Sequence, residues 1–498
     1  MTLIIYAIDL GSTNLKVVLY DENLLGLAAA QSPMSYVRDH DRVEFDPPAV
    51  FDAIVALMHR CAAQAALDGS EPALIVVTGQ AESLVLVDAQ GNPVAKGISW
   101  MDERSRVEAD EIARHFDPVT AFAITGAPTT TPTWPATKLR WLARHRPEVL
   151  AAASRVFMIK DYVLFRLTGL ATGEATTRGF TYLYDVQNRT YWAEMLDFCG
   201  TTLQTMPELV PAGAAIGPAL RDVAEVLPGA ASYTVNVGAL DHFCAMAGTG
   251  SYGAGVVSAS AGTVLSLSML ASAWRFDPAM QVSFHPGLRG DDIVLFACAD
   301  SGGVALSWFR DNIAGFDYGA LETELWERNH HEAPLFLPYL TGVNPPDFNE
   351  AARGAFVDLQ LRHDRVDLAY AVMEGVAHLL RRNLDDLTGH GQRVDGVVSA
   401  GGGSASRFWN QLKADACGLD VRVPDEGEAA CRGAALLALV GAGIVGSLED
   451  SAQLHPPAEH TYHPRRETWR AVRYDRFDAA IRRLYPADNL HPTEGENR

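Results

Sequence analysis

The sequence predicts an α/β protein made of two related halves, and three segments carry that prediction. Two of them, "AIDLGSTNLKVVLYD" at residues 7–21 and "GVVSASAGTVLSLSML" at residues 255–270, read as strand, small polar turn and strand. The third, "VDGVVSAGGGSASRFWNQLKADACG" at residues 394–418, reads as strand, glycine-rich loop and helix. Because a chain of 498 residues is too long for one hydrophobic core, we expect two domains. The predicted division is 1–246 and 247–498, with a helical tail at the C-terminal end.

The first half alternates strands and helices in an order that follows from the apolar pattern. Strands are expected over 3–8 and 15–20, and "LGLAAAQSP" adds a third strand. A helix is expected to begin at Pro47, because apolar residues then recur with helical spacing. The continuous apolar run "ALIVVTG" is typical of a strand buried on both faces. A second hairpin is expected to turn at 90–93, and helices follow near 104–115, 136–145 and 160–167.

The second half begins near residues 244–255, where "GTGSYGAG" has the glycine content of a hinge. Just before it, "YTVNVGALDHF" predicts a strand followed by a loop that carries Asp241. A long helix is expected over "RVDLAYAVMEGVAHLLRRNLDDL", whose apolar residues keep a helical period. Gly418 is expected to cap the helix of the third segment. An amphipathic helix near the C-terminal end is expected to pack on the second half.

Composition and charge exclude several classes of protein. Lys and Arg total 40 against 61 Asp and Glu, a formal charge of −21, and no basic run is present. Nucleic acid and anionic membranes are therefore not expected as partners. The six cysteines are scattered without a CxxC pair, which argues against a zinc site or a disulfide framework. With no recognisable signal peptide and no uncharged stretch long enough to span a bilayer, a cytoplasmic location is expected.

The polar turn of the first hairpin indicates a site for phosphate and a metal ion. Glycine lets backbone N–H groups approach a phosphate, hydroxyl and amide side chains add donors, and an ammonium group adds charge. A carboxylate at a strand end is the kind of oxygen ligand that Mg²⁺ prefers. An ordinary turn with a solvated carboxylate is the alternative for this segment alone. The residues concerned are Asp9, Gly11, Ser12, Thr13, Asn14 and Lys16.

Two further segments contain residue types that suit phosphoryl transfer. Asp241 in "GALDHF" follows a strand, so its carboxylate is a candidate to accept the proton of an attacking hydroxyl group. Asp is also a favoured N-cap, and the two roles are compatible because helix N-termini bind phosphate. Three successive glycines precede Ser404, and such a run lets the backbone approach a ligand closely. The run matches neither GxGxxG nor the Walker pattern, so neither a Rossmann nor a P-loop assignment follows.

In their order along the chain, these segments resemble the actin-like ATPase superfamily, and within it the FGGY carbohydrate kinases. The resemblance covers nearly the whole chain and includes "TGQAESLVLVDAQGNPVAKGISWMDERS", "DYVLFRLTG", "GALDHFCAMAGTG", "ARGAFVDLQLRH" and the Glu428–Ala435 run. It implies an α/β fold of two actin-like (ribonuclease H-like) domains with a cleft between them. It also implies an enzyme that uses ATP and Mg²⁺ to phosphorylate a small-molecule sugar. Homodimers are frequent among such enzymes, so a homodimer is one expected assembly.

The resemblance implies roles for residues around the nucleotide. Asp9 would lie near Mg²⁺, Thr13 near the γ-phosphate, and Lys16 would supply positive charge. The second hairpin would face the nucleotide from the second domain, and the glycine-rich loop would line the adenosine side. The residues implied there are Gly262, Thr263, Gly402, Gly403 and Ser404.

The resemblance also implies residues for the acceptor. Asp241 would be the general base, and His242 would either contact the substrate or simply continue the helix. Glu82 stands where glycerol kinases have a hydroxyl-binding Glu and where many xylulose kinases have His. Asp102 would bind vicinal hydroxyl groups or form a salt bridge to Arg104 instead. The other implied contacts are Gln80, Trp100 and Trp134, the last of which is more typical of a core residue.

The favoured function is therefore phosphorylation of a ketose such as xylulose. Kinases of polyols such as glycerol or erythritol, or of sugar acids such as gluconate, are the alternatives within the same chemistry. A non-catalytic actin-like ATP switch or a sugar sensor is the alternative of another class. Dependence of ATP turnover on an added sugar distinguishes the kinase from that last class.

Overall fold

The computed structural model describes residues 3–262, 264–271, 276, 282–299, 301–340, 352–425, 428–454 and 458–485. The chain forms two compact units. The first comprises Met1–Tyr252, Ser283–Val294 and Glu426–Pro456, and the second comprises Gly253–Val282, Leu295–Asp425 and Pro457–Arg498. This division differs from the predicted one, which has a single boundary after residue 246. The difference arises because the apolar helix Ala429–Gly441, late in the sequence, packs on strands of the first unit.

The strands of the described residues are numbered in chain order. They are β1 Ile4–Leu10, β2 Asn14–Asp21, β3 Gly26–Pro33, β4 Val37–Asp39, β5 Arg42–Phe45, β6 Pro72–Gly79, β7 Leu84–Val87, β8 Gly97–Ile98, β9 Arg155–Met158, β10 Thr172–Gly173, β11 Tyr184–Asp185, β12 Thr190–Tyr191, β13 Glu208–Leu209, β14 Ala215–Pro218, β15 Ser232–Leu240, β16 Val256–Ala261, β17 Leu265–Leu270, β18 Ser283–Pro286, β19 Ile293–Ala299, β20 Leu335–Leu337, β21 Ala355–Val357, β22 Gly396–Ala400, β23 Val421–Pro424 and β24 Ala458–Tyr462.

The α-helices are numbered in the same way. They are α1 Pro47–Gln64, α2 Arg106–His115, α3 Pro118–Thr125, α4 Pro135–His145, α5 Pro147–Ala152, α6 Ile159–Thr168, α7 Ala175–Arg178, α8 Ala193–Phe198, α9 Arg221–Ala224, α10 Asp241–Gly248, α11 Gly303–Phe309, α12 Tyr318–Trp326, α13 Arg365–Gly389, α14 Arg407–Cys417, α15 Ala429–Gly441 and α16 Thr468–Leu484. Within the described ranges, no helix is long and apolar enough to cross a membrane.

The main sheet of the first unit has the strand order β14-β15-β6-β1-β2-β3. Strands β1 and β2 form the predicted hairpin, in which Asp9 lies opposite Lys16. Strand β6 is buried along nearly its whole length, as its apolar run predicts, and runs parallel to both β1 and β15. Leu10 and Leu240 both pair with Gly79, so these three neighbouring strands end at one edge. Ligands of α/β sheets bind at such carboxyl ends.

The predicted second hairpin of the first unit is present in a sheet of order β4-β5-β8-β7-β9. Its turn is closed by Asp88, whose carboxylate accepts hydrogen bonds from the backbone N–H groups of Gln90 (2.9 Å) and Asn92 (2.8 Å). The return strand is short, and Leu84 pairs with Ile98. This pairing fixes the start and end of the 82–100 segment, which carries several of the predicted acceptor residues.

The sheet of the second unit includes, in order, β19-β17-β16-β22-β23-β24. Strands β16 and β17 form the predicted hairpin, and β22 runs parallel to β16. Helix α14 ends at Gly418, whose φ of 67° makes it the predicted left-handed cap. Helix α16 packs on α13 and α14. A buried ion pair between Arg473 and Glu374 (2.5 Å) holds it against α13.

His378 gives the second unit a predictable dependence of stability on pH. The side chain is 2% exposed and packs against the rings of Tyr474 and Phe477 at 5.4 and 5.1 Å. Burial lowers its pKa to about 4, against the opposing charge of Glu374. Since an unfolded His titrates near pH 6.5, the unfolded chain takes up this proton first as the pH falls. We expect the stability from this residue, complete above about pH 6.5, to fall by about 2 kcal/mol between pH 7 and pH 5.

The measurement is the melting temperature at pH 7 and at pH 5 for the wild type and for His378→Phe, which keeps an aromatic ring. The variant should lose less thermal stability than the wild type over this interval. Equal losses in the two proteins would show that His378 is not the titrating group.

Candidate active site

Residues from three neighbouring strands form the core of the candidate site. Asp9 lies on β1, Gln80 follows β6, and Asp241 follows β15. The predicted loop at Asp241 is wrong, because β15 ends at Leu240 and α10 begins at the next residue. The backbone of Leu240, with φ −55° and ψ 141°, turns the chain directly from strand to helix. Asp241 therefore lies in the first turn of a helix at the sheet edge.

Asp241 and His242 are paired in this turn. One carboxylate oxygen of Asp241, Oδ1, accepts hydrogen bonds from the backbone N–H of His242 (2.6 Å) and from its Nδ1 (2.7 Å). Burial opposes ionisation of Asp241, but the charge and hydrogen bonds of His242 outweigh it, so the pKa of Asp241 lies below its usual range. Burial likewise opposes ionisation of His242, and the charge of Asp241 outweighs it, so the pKa of His242 is raised. The Asp241 carboxylate is thus ionised at neutral pH.

Asp9 has the properties of a ligand for a cation. Its Oδ1 is buried, and no hydrogen-bond donor among the described residues lies within reach of it. Burial and the negative charge of Asp241 raise the pKa of Asp9 to about 7, although the charge of Lys16 opposes the shift. A bound divalent cation would relieve the repulsion between the two carboxylates. Within the described part of the chain, no group of three or more His, Cys, Asp or Glu is arranged to hold a metal alone, so water or phosphate would complete its coordination.

The structure brings the predicted phosphate turn into contact with predicted acceptor residues. The hydroxyl of Ser12 accepts a hydrogen bond from Nε1 of Trp100 (2.8 Å). Nε2 of Gln80 donates to the backbone carbonyl of Gly11 (3.4 Å). Thr13 is exposed at the tip of the turn. The tip is therefore open to a ligand, while its flanks are fixed by two side chains.

The remaining residues of the turn differ in what they contact. Asn14, the first residue of β2, is half-buried and pairs with Pro33 of β3. Nζ of Lys16 forms an ion pair with Glu428, which immediately precedes α15. Glu428 received no role from the sequence, although it begins the run that resembles the family. A role for it was not predictable, because the two paired residues are 412 positions apart.

Glu82 occupies a strained position beside a buried lysine. Its φ is 68°, which is uncommon for a residue with a side chain and is often found at functional sites. Burial raises the pKa of Glu82 to about 7, against the charge of Lys138 and a hydrogen bond with Thr133. Nζ of Lys138 donates to the backbone carbonyls of Thr133 (2.7 Å) and Trp100 (3.3 Å). Burial lowers the pKa of Lys138 to about 8.

Lys138 was missed by sequence reasoning. It lies in α4 among buried residues, and its own side chain is fully buried. The available signal was a lysine on the apolar face of a predicted helix, because a buried ammonium group needs partners. That signal does not say which partners they are.

The polar groups of Asp102 and Trp134 form hydrogen bonds with other residues of the chain. The carboxylate of Asp102 is fully buried and accepts hydrogen bonds from the backbone N–H of Val43 (2.6 Å) and from Nε and Nη2 of Arg104 (both 2.7 Å). This is the salt bridge to Arg104 that was the alternative to a sugar contact. Trp134 is 8% exposed, and its Nε1 donates to the backbone carbonyl of Thr129 (3.0 Å). Its surroundings are those of a core residue.

A separate cavity lies within the second unit. It has a volume of about 580 Å³, and Gly262, Gly402 and Gly403 are among its lining residues. Thr263 lies outside the described residues. Ser404 does not line the cavity, and its hydroxyl donates to the backbone carbonyl of Gly401 (2.7 Å). The larger lining side chains are Leu306, Tyr318, Leu321, Leu325, Met373 and Trp409. A mainly apolar and aromatic cavity of this size suits a planar base with a ribose.

Comparison with known proteins identifies the family. The N-terminal domain model of the FGGY family of carbohydrate kinases matches residues 4–248, and the C-terminal domain model matches residues 259–442. The xylulose kinase of Escherichia coli is 30% identical over 479 residues, covering 93% of this chain and 97% of the relative. The gluconokinase of Bacillus licheniformis is 25% identical, covering 93% of each chain.

A solved structure agrees over the whole chain. The crystal structure of a xylulose kinase from Brucella ovis superposes with a TM-score of 0.89 at 29% identity, covering 98% of this chain and 99% of the other. The fold is thus the two-domain, actin-like ATPase fold of these kinases, as the sequence predicts. Kinases of this family use ATP as the phosphoryl donor. The chain therefore belongs to the FGGY family of carbohydrate kinases and is a sugar kinase.

Proposed function

We propose that this kinase transfers the γ-phosphoryl group of ATP, with Mg²⁺, to a hydroxyl group of a small uncharged ketose. Asp241 takes the proton of that hydroxyl group. The observation that carries the proposal is the arrangement of Asp9, Gln80 and Asp241 at three neighbouring strand ends, beside the polar turn of the first hairpin. The similarity to a xylulose kinase at 30% identity supports a ketose as the acceptor.

Asp241 has the protonation state that a general base requires. Phosphoryl transfer needs little covalent chemistry from the protein, which mainly orients the reactants and stabilises charge. As the acceptor oxygen bonds to phosphorus and ADP leaves, the hydroxyl proton passes to the ionised Asp241 carboxylate. The hydrogen bonds from His242 keep this carboxylate ionised and fix its orientation.

The residues around Asp9 fit a magnesium ion. The buried Oδ1 of Asp9 would hold it directly or through water, with further oxygen ligands from water and phosphate. When bound, Mg²⁺ neutralises phosphate charge and orients the phosphate chain. Lys16 lies opposite Asp9 on β2 and is ion-paired with Glu428, so a phosphate group would compete with that carboxylate for its charge.

Glu82 and its neighbours favour an uncharged acceptor. With a pKa of about 7, its carboxyl group is able both to accept and to donate hydrogen bonds, which suits the hydroxyl groups of a sugar. A sugar acid would instead bring its carboxylate towards Glu82. Lys138 is bound to two carbonyl groups, and Arg104 is paired with Asp102 and Glu44, so both cations already have partners.

The experiment is acceptor-dependent ADP release by the wild type with ketoses, polyols and aldonates. We expect an uncharged ketose to give the highest kcat/KM. At pH 8, where Glu82 is mostly ionised, Glu82→Gln should lower kcat/KM for that ketose by about tenfold, because the amide replaces a charged hydrogen-bond acceptor with a neutral one. The KM for ATP should stay within about twofold, because Glu82 does not contact the nucleotide in this proposal.

Glu103→Gln is the matched control, because the Glu103 side chain is 46% exposed and, among the contacts described, pairs only with Arg106. It should leave all rates unchanged. An aldonate as the best acceptor, or equal activity of Glu82→Gln and the wild type, would contradict the assignment.

A further inference from the structure

The strand that leads to Asp241 contains a β-bulge. Val237 pairs with Val77, but Leu240 pairs with Gly79, so β15 has one residue more than β6 in this interval. Bulges of this kind redirect a chain and leave backbone groups outside the hydrogen-bonding ladder. Gly238 suits the bulge because a Cβ there would lie 2.4 Å from the carbonyl oxygen of Val77. The geometry of the bulge therefore sets the direction in which the next helix, with Asp241, begins.

A buried ion pair binds the first residue of the bulge. Nζ of Lys160, on α6, donates to the backbone carbonyl of Gly238 (2.7 Å) and to Oε1 of Glu174 (2.6 Å). Both charged side chains are fully buried. Glu174 in turn accepts hydrogen bonds from the backbone N–H groups of Thr176 (2.5 Å) and Thr177 (2.9 Å) at the start of α7. Lys160 thus connects the carboxylate at the N-terminus of α7 to the backbone of the bulge.

Two threonines bind the other residues of the bulge. The hydroxyl of Thr78 donates to the backbone carbonyl of Ala239 (2.7 Å), and the hydroxyl of Thr176 accepts from the backbone N–H of Leu240 (2.8 Å). Both threonines are buried. Each of the three residues between Val237 and Asp241 thus has a backbone group bound by a buried side chain from another element.

We infer that Lys160, Thr78 and Thr176 are positioning residues for Asp241, which fix the bulge so that its carboxylate meets the acceptor hydroxyl. This inference rests on the proposed role of Asp241 as the general base. None of the three is proposed to touch a reactant. Their contribution is geometric, because a displacement of about 1 Å at a reacting group lowers rates by as much as 10²-fold.

Thr176→Val tests this role with the smallest change in shape. The substitution removes the acceptor for the N–H of Leu240 and keeps the branched side chain. We expect kcat to fall by about tenfold while the KM for ATP stays within about twofold. Thr176→Ser, which keeps the hydroxyl, should restore kcat. Thr78→Val is made in parallel, so that the test does not depend on the folding of one variant.

The decisive measurement is the effect of Thr176→Val on kcat in a protein that also carries Asp241→Asn. If Thr176 acts through the Asp241 carboxylate, its loss should lower kcat by less than about twofold once that carboxylate is gone. A merely structural role would lower kcat by the same factor in both backgrounds. Thr168→Val is the matched control, because the buried Thr168 hydroxyl donates to the carbonyl of Leu164 (2.8 Å) within α6 and contacts neither the bulge nor Glu174. It should show no such dependence on Asp241.

Equal effects in the two backgrounds, or no effect of Thr176→Val and Thr78→Val on kcat, would overturn the positioning role. Failure of the proposed function looks different, because Asp241→Asn alone would then leave kcat unchanged. A large loss in Asp241→Asn together with additive effects of the threonine variants would retain the base and reject only the positioning residues.

Discussion

Replacement of Asp241 by Asn is expected to lower kcat by about 10²- to 10⁴-fold, the usual contribution of a general base. Asn keeps the size of the side chain and an acceptor for the N–H of His242, but it cannot take a proton from the sugar. The KM for ATP should change by no more than about twofold, because the contribution of a base arises in the transition state. The measurement is steady-state ADP release at saturating ATP and acceptor, with the melting temperature recorded for both proteins.

Asp222→Asn is the matched control for this experiment. Asp222 is exposed in the short helix α9 and outside the candidate site, so its replacement should leave kcat unchanged. If Asp241→Asn retains the wild-type kcat with every acceptor, another group takes the proton and the assignment of the base is wrong.

Replacement of Asp9 by Asn should give the second largest loss, about 10²-fold in kcat. It removes the negative charge of the carboxylate whose buried oxygen suits a cation, next to a second carboxylate, Asp241. The Mg²⁺ concentration that gives half-maximal activity should rise, since an amide oxygen binds this cation less strongly than a carboxylate. The measurement is a Mg²⁺ titration of the rate at fixed ATP.

A second readout for Asp9 does not depend on turnover. In the wild type, Mg²⁺ should increase the rise in melting temperature that ADP produces, because a ligand of the folded state stabilises it. Asp9→Asn should remove most of that increase, whereas Asp222→Asn should retain it. An unchanged response of Asp9→Asn to Mg²⁺ would show that Asp9 is not a metal ligand.

Features governed by local sequence were predictable. The two hairpins with small polar turns, the strand of continuous apolar residues at 73–79 and the glycine cap at Gly418 all follow from side-chain period and turn chemistry. The same holds for the helix that starts at Pro47. These features depend on residues within a few positions of one another, and the sequence contains that information directly.

Features governed by distant contacts were not predictable. Lys16 forms an ion pair with Glu428, which lies 412 positions later in the sequence. Lys160 donates a hydrogen bond to the carbonyl of Gly238, which lies 78 positions later. The loop predicted at Asp241 does not form, because buried side chains from other elements bind the backbone there and allow a direct turn into α10. The acceptor is hard to predict for a similar reason. It depends on how side chains such as Glu82 are surrounded, and not on their presence alone.

Phosphoryl transfer from ATP to an uncharged sugar is tested most directly by phosphorus-31 NMR of the wild type with ATP, Mg²⁺ and each ketose of the acceptor panel. We predict that one ketose gives a new phosphomonoester resonance that grows in step with ADP, and that the sugar-free sample gives no such signal. Formation of ADP and inorganic phosphate at the same rate with and without every ketose would contradict the proposed function, because the protein would then hydrolyse ATP without an acceptor.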